Sequence, residues 1–230
     1  MLASIVRRWR RIVARRFRGC FPQHYSTLDD PQEVPVQVAA YRLAADKYLR
    51  AGDHVLDVGF GLGYGLRILS EKAELVAGVE IDRRAVAHLG RTLAGDSTVS
   101  ELRLYNGKTI PYPDGSFDMV TCVDVLEHVP DYAGMLAEMV RVSRRTVLVS
   151  TPRRRPEHTQ VDGRPCNIWH LREWSYTEFD GILDRIDGIS VEWNFLNGPW
   201  NGPFEACSEV GSETQALVPT LLLDKDCHAP

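Results

Sequence analysis

Apolar residues come in two rhythms along this chain. Runs dominated by them cover 55–58, 75–81, 119–123 and 145–152, each of strand length. Between these runs the spacing becomes helical: Leu66 to Leu69, then Ala85, Val86, Leu89 and Leu93, then Met135, Leu136, Met139 and Val140. A last helical set, Phe179, Ile182, Leu183 and Ile186, is preceded by a capping box from Ser175 and Glu178. Two more strands are predicted at 189–195 and 214–223, the second reversed relative to the parallel ones. A helical stretch over 31–50 precedes the first strand. Residues 197–211, rich in Gly, Pro and Asn, predict a lid or substrate loop.

The first strand run ends in Asp57-Val58-Gly59-Phe60-Gly61-Leu62-Gly63. Strand, tight glycine turn and helix in that order let a ligand lie against bare backbone, and the turn points to a nucleotide-like cofactor. A dinucleotide fingerprint would be Gly-x-Gly-x-x-Gly; here the third glycine comes one residue early and position 64 is Tyr. The second run ends in Glu80, about twenty residues beyond the glycines, where a carboxylate can accept both ribose hydroxyls. Ile81 beside it can pack on an adenine face, while Asp82 stands where a cap for the next helix belongs.

The pattern Asp-x-Gly-x-Gly-x-Gly resembles motif I of class I S-adenosylmethionine (SAM) methyltransferases. The resemblance continues through Asn106-Gly107, Ile110-Pro111-Tyr112 and Ser116-Phe117-Asp118 into Leu126-Glu127-His128-Val129, four ordered blocks over about a hundred residues. It implies a Rossmann-like α/β fold: a seven-stranded, mainly parallel sheet with helices on both faces and strand seven antiparallel. It also implies S-adenosyl-L-methionine as cofactor, held by Asp57, Gly59, Phe60, Gly61, Gly63, Glu80, Ile81, Asn106, Gly107 and Val123. Many relatives carry Asp where this chain has Asn106; the Asn carbonyl oxygen can still accept from the adenine amino group. Helices before motif I close over the cofactor in this family, which makes Tyr25 and Tyr41 lid candidates.

The chain leaving the fifth strand should face the bound cofactor, since ligands sit beyond the carboxyl ends of the strands. His170 on that segment is the first candidate for general base and His128 the second, because histidine titrates near neutral pH. Arg153, Arg154 and Arg172 could bind acidic substrate groups or be solvated surface. Thr151-Pro152-Arg153-Arg154 and His170-Leu171-Arg172-Glu173-Trp174-Ser175 are similar to elements of bacterial methyltransferases associated with surface glycans. Asp124, Glu127 and His128 are similar to a cluster that is associated with a divalent metal in quinone-biosynthesis O-methyltransferases; the simpler reading is that Glu127 and His128 orient the turn, and no metal is assigned.

Composition bounds the rest. A length of 230 residues with 44% hydrophobic and 25% charged content suits one domain with a full core. Five widely spaced cysteines without Cys-x-x-Cys argue against a disulfide framework or zinc ribbon. Residues 1–18 hold seven arginines and no acid, whereas the whole chain is at −4, so the remainder carries −11. An acidic body argues against nucleic acid as a partner. In the basic head, Leu2, Ile5, Val6, Trp9, Ile12, Val13 and Phe17 share one helical face, and Arg7, Arg8, Arg10, Arg11, Arg15 and Arg18 cover the other, with Arg16 straying to the apolar side. Such a helix suits an anionic membrane surface; packing on the domain and a transit peptide are the alternatives. Residues 1–28 are therefore read as basic helix and linker, and 29–230 as the domain. The expected setting is cytoplasmic, peripheral on the inner face of the membrane. The activity readings are O-methylation of a small molecule or lipid-linked glycan, quinone O-methylation, or a non-catalytic scaffold recruited to membranes.

Overall fold

The computed structural model describes residues 33–199 and 203–223. The head helix, its linker and Tyr25 lie outside the described residues. The described chain forms one sheet with helices against both faces. Its strands are β1 (His54–Val58), β2 (Leu75–Glu80), β3 (Val99–Leu104), β4 (Phe117–Val123), β5 (Ser143–Pro152), β6 (Ile189–Asn197), β7 (Glu205–Cys207) and β8 (Thr214–Leu223). Their order is β3-β2-β1-β4-β5-β8-β6-β7. Pairs from β3 to β5 are parallel. The reversed strands are β8, antiparallel to both β5 and β6, and β7, antiparallel to β6.

The sheet has eight strands rather than the expected seven. β6 runs on to Asn197, and its last three residues pair with Glu205–Cys207. The predicted lid over 197–211 is thus partly a short antiparallel ribbon. Three residues give too few alternations to announce a strand in the sequence.

The helices are α1 (Pro35–Leu43), α2 (Tyr64–Ser70), α3 (Arg83–Thr92), α4 (Tyr132–Val142) and α5 (Tyr176–Leu183). α1 continues into a π-helical turn, Ala44–Tyr48. Asp82 caps α3 by accepting from Arg84 N, and the Ser175–Glu178 capping box opens α5, as the sequence predicts.

The central strands are buried on both faces, which is why they read as continuous apolar runs. Alternate residues serve opposite layers. Val55, Met119 and Leu148 pack with Tyr41, Leu66, Leu69 and Leu89. Leu56, Val120 and Val147 pack with Met135, Met139 and Phe179. In the first layer α2 lies so close to Tyr41 that a Cβ at Gly65 would stand 2.2–2.6 Å from three atoms of its ring. Gly65→Ala should therefore cost about 1–3 kcal/mol of stability through overpacking. Urea unfolding of the variant checks this; an unchanged midpoint would remove the close packing as a constraint.

Candidate active site

The carboxyl ends of β1, β2, β4 and β5 share one edge of the sheet, and the candidate residues collect there. The glycine turn at the end of β1 is built from two kinds of glycine. A Cβ at Gly59 would lie 2.5 Å from Val125 Cγ2, and one at Gly63 would lie 2.6 Å from Leu89 Cδ1. Both are small because neighbours press on them. Gly61 has φ +51° and nothing nearer than the Gly59 carbonyl, 3.9 Å away. It leaves open space beside the turn, where a ligand can approach.

Glu80 fastens this turn. Its Oε2 accepts from Gly61 N at 3.0 Å, and its Oε1 accepts from Ile81 N and Asp82 N at 2.7 and 2.9 Å. Oε2, with one bond, keeps lone-pair capacity for a ribose hydroxyl, while Oε1, with two, is occupied. Ile81 is 64% exposed beside the turn, and its Cγ2 would be 3.5 Å from a Cβ at Gly107. Ile81 and Gly107 are thus neighbours beside the turn. Asn106 Oδ1 already accepts from Lys108 N and Thr109 N, both at 2.9 Å. The expected contact through its carbonyl oxygen is therefore occupied, and the amide NH₂, a donor, is the group left for a ligand.

Asp57, Phe60 and Val123 are buried beneath the turn. Asp57 accepts from Tyr41 OH at 3.1 Å and from Thr121 Oγ1 at 2.8 Å. Burial pushes its carboxyl up to about 7, against the pull of the Thr121 and Tyr41 hydrogen bonds. Its role in this geometry is to tie α1 to the sheet below the glycine turn. Tyr41 belongs to that tie, a partnership across sixteen residues that no local motif announces.

Asp124, just after β4, has φ 52°, the only positive φ outside glycine among the described residues. Such backbone persists where surrounding bonds over-determine it, typically at functional sites. Here Asp124 N donates to the Ser150 carbonyl at 2.9 Å. Its Oδ1 accepts from Ser150 Oγ at 2.8 Å and its Oδ2 from Gln37 Nε2 at 3.1 Å. Gln37 in turn accepts from Tyr64 OH. α1, α2, β4 and β5 meet at this residue.

The turn Leu126–His128 carries the reactive groups. His128 Nδ1 lies 2.8 Å from the Trp169 carbonyl oxygen. A carbonyl only accepts, so Nδ1 holds the proton and Nε2 presents a lone pair. Burial lowers the His128 pKa, partly countered by the Trp169 bond, which keeps the ring neutral at pH 7. Its Nε2 is 3.9 Å from Glu127 Oε1. Glu127 is fully buried; Thr151 Oγ1 donates to its Oε2 at 3.4 Å, and Oε1 has no hydrogen-bond partner. Burial, with Asp124 and Glu173 nearby, pushes this carboxyl well above its usual range, towards the protonated acid.

His170 packs edge-on against His128, with ring centroids 4.9 Å apart. Both its nitrogens are engaged: Nδ1 with Glu173 Oε1 at 2.6 Å, Nε2 with Asn167 Nδ2 at 2.8 Å. Asn167 Oδ1 accepts from Trp169 N, so its amide nitrogen faces His170 as donor. Glu173 went unrecognised in the sequence, although its His-x-x-Glu spacing was visible there. The arginines expected to meet acidic substrate groups are also engaged. Arg153 donates to the Gly211 carbonyl, and Arg154 pairs with Glu178 at 2.8 Å. Arg172 donates to the Val129 and Pro130 carbonyls and lies over the Tyr132 ring. Their charges serve the loop's own architecture. Glu127, His128 and His170 each offer a ligand atom, all within 4.8 Å of one another, whereas Asp124 is turned to Ser150 and Gln37.

A family model described as a methyltransferase domain matches residues 56–149, the span from the glycine turn to β5. A probable S-adenosylmethionine-dependent methyltransferase of Mycolicibacterium smegmatis is 36% identical over 70% of this chain and 58% of its own length. A 2-methyl-6-phytyl-1,4-hydroquinone methyltransferase of Synechocystis is 29% identical over 67% of this chain and 52% of its own length. This chain thus spans little more than half of these relatives. Among solved structures, a SAM-dependent methyltransferase from Aquifex aeolicus superposes with TM-score 0.62 at 18% identity, covering 84% of this chain and 94% of that one. The chain belongs to the class I SAM-dependent methyltransferases. S-adenosyl-L-methionine is the cofactor of that class, and the open side of Gly61 and the carboxylate of Glu80 fit it.

Proposed function

We propose that this domain transfers the SAM methyl group to a hydroxyl of a small molecule or lipid-linked glycan near a membrane surface. The observation that carries the reading is the bare Nε2 of His128, held by the Trp169 carbonyl at the carboxyl edge of the sheet. In the reaction the acceptor oxygen forms a bond to the methyl carbon as the carbon–sulfur bond breaks. SAM held by Glu80 and against Gly61 would supply the methyl group, its sulfur taking the broken bond's electron pair, and the hydroxyl proton would pass to His128 Nε2. The protein aligns the acceptor, removes the proton and excludes water. His170, held by Glu173 and Asn167, acts as the wall against which His128 is set. Residues 1–18 support the membrane setting through their opposed apolar and arginine faces. No helix among the described residues is long and apolar enough to cross a membrane.

A second reading, quinone O-methylation with a divalent ion, is favoured by the orphaned Glu127 Oε1. An ion shared by Glu127, His128 and His170 would satisfy that oxygen and draw the carboxyl into its ionised form. One experiment separates the two. Titration calorimetry should give micromolar binding of SAM and of S-adenosylhomocysteine. Labelled-methyl turnover over hydroxylated glycan, lipid and quinol acceptors should then proceed undiminished in EDTA. Turnover confined to quinols and abolished by EDTA would establish the second reading. No cofactor binding by folded protein would defeat both.

A further inference from the structure

We propose that the segment 158–171 is a membrane-inserting rim, and that it docks this domain, active-site edge first, on an anionic lipid bilayer. The inference rests on the methyltransferase reading for its purpose, though not for its evidence. Among the described residues seven large apolar side chains are exposed, and four of them stand on this one segment: Val161, Ile168, Trp169 and Leu171, at 45–111% exposure.

Their exposure is built into the segment's hydrogen bonding. Thr159 and Pro165 form a bridge, Gln160 N donates to the Arg164 carbonyl, and Cys166 N donates to the His158 carbonyl. Val161 is thereby held at the tip of a short hairpin. The following residues are fixed to the active-site turn itself. Trp169 supplies the carbonyl that orients His128, and Leu171 N donates to the Glu127 carbonyl at 2.8 Å. Whatever these apolar side chains touch is therefore beside the proposed base.

Charge and connectivity select the occupant. The segment's own charged pair is matched locally, Arg164 with Asp162, and so is the pair just before it, Arg155 with Glu157. The rim thus has little net pull of its own on an anionic surface. The arginines that have such a pull lie in residues 1–18. That part of the chain joins the described fold at Glu33, just before α1, whose Gln37 bonds Asp124 at the same edge of the sheet. Residues 19–32 between them give the cationic segment length enough to act beside the neutral, tryptophan-bearing rim. A bilayer interface takes both, the first by attraction to headgroups and the second by insertion. Two weak anchors together give the firm attachment that either alone does not. An acceptor with an apolar tail would then meet His128 without leaving the lipid.

The test uses the full chain with vesicles of phosphatidylcholine, with and without phosphatidylglycerol. Trp169→Ser with Leu171→Ser should weaken sedimentation with the anionic vesicles roughly tenfold or more, the scale set by burying one large apolar side chain. In a Trp9→Phe, Trp200→Phe background, lipids brominated near the headgroup should quench emission, and the conservative Trp169→Phe should remove that quenching. Vesicle binding equal to wild type in the double serine variant, or quenching that survives Trp169→Phe, overturns the proposal. So does a concentration-dependent dimer that the serine variant abolishes, which would make the face an interface between copies. SAM titration of the same samples reads the cofactor site separately. A chain that binds vesicles through Trp169 yet takes up no SAM would keep the docking rim and remove the methyltransferase reading.

Discussion

His128→Ala is expected to lower kcat by about 10²–10⁴-fold, the usual contribution of a positioned general base, and to leave the SAM dissociation constant where it was. The ring's contacts are Trp169, Glu127 and His170, not the glycine turn or Glu80. The pH profile distinguishes a base from a structural ring. Burial lowers the His128 pKa below the ordinary histidine value of 6.5, so the neutral form prevails from that point upward. In the wild type, kcat/KM should fall as pH drops through a midpoint below 6.5, and be flat above it. The variant should lose that acid limb. An unchanged profile in His128→Ala would show that another group takes the proton. Glu127→Gln adds a second discrimination. With burial pushing Glu127 towards the neutral acid, the amide is a close substitute and kcat should change little. A divalent ion needs the carboxylate, and the same change would then abolish turnover together with metal uptake.

What the sequence disclosed and what it withheld divide along physical lines. Gly59, Gly61, Gly63 and Glu80 were legible because their constraints are local. A tight turn, a nearby side chain and a carboxylate at a strand end each demand one residue type at a fixed spacing. The central strands were legible because burial on both faces leaves an uninterrupted apolar run. The wiring beneath the site was not. Asp57 gains its partner Tyr41 from a helix that precedes the turn, and His128 gains its tautomer from a carbonyl 41 residues further on. Backbone carbonyls carry no sequence signature. In the sequence His170 stands out as the first candidate base, being on the expected substrate side, while the bonds from Glu173 and Asn167 to both its nitrogens exist only in the fold. The arginines stay open in the sequence, between substrate contact and solvated surface, for a related reason. Charge is read from composition, but whether a guanidinium is already held depends on where Gly211, Glu178 and Val129 fold to.

Gly61→Arg should raise the SAM dissociation constant at least roughly a hundredfold, equivalent to about 2.7 kcal/mol, in a protein that remains folded. The two halves of that expectation come from different observations. Around Gly61 no side chain presses, and a Cβ there would meet only the Gly59 carbonyl at 3.9 Å. A larger residue can therefore be accommodated by the fold, at about 1–3 kcal/mol for a non-glycine residue held at φ +51°. Its side chain then projects into the space where the cofactor must approach, and the Gly61 N–H that helps to set Glu80 is disturbed as well. Gly59 and Gly63 offer no such separation. Val125 and Leu89 stand within 2.6 Å of their added Cβ atoms, so changes there would damage packing and binding together. Titration calorimetry with SAM, beside urea unfolding of the same sample, reads both halves. Weak SAM binding with cooperative unfolding places the cofactor against Gly61. Wild-type affinity in the arginine variant would move the cofactor away from this turn, and the assignment of Glu80 to ribose would fall with it.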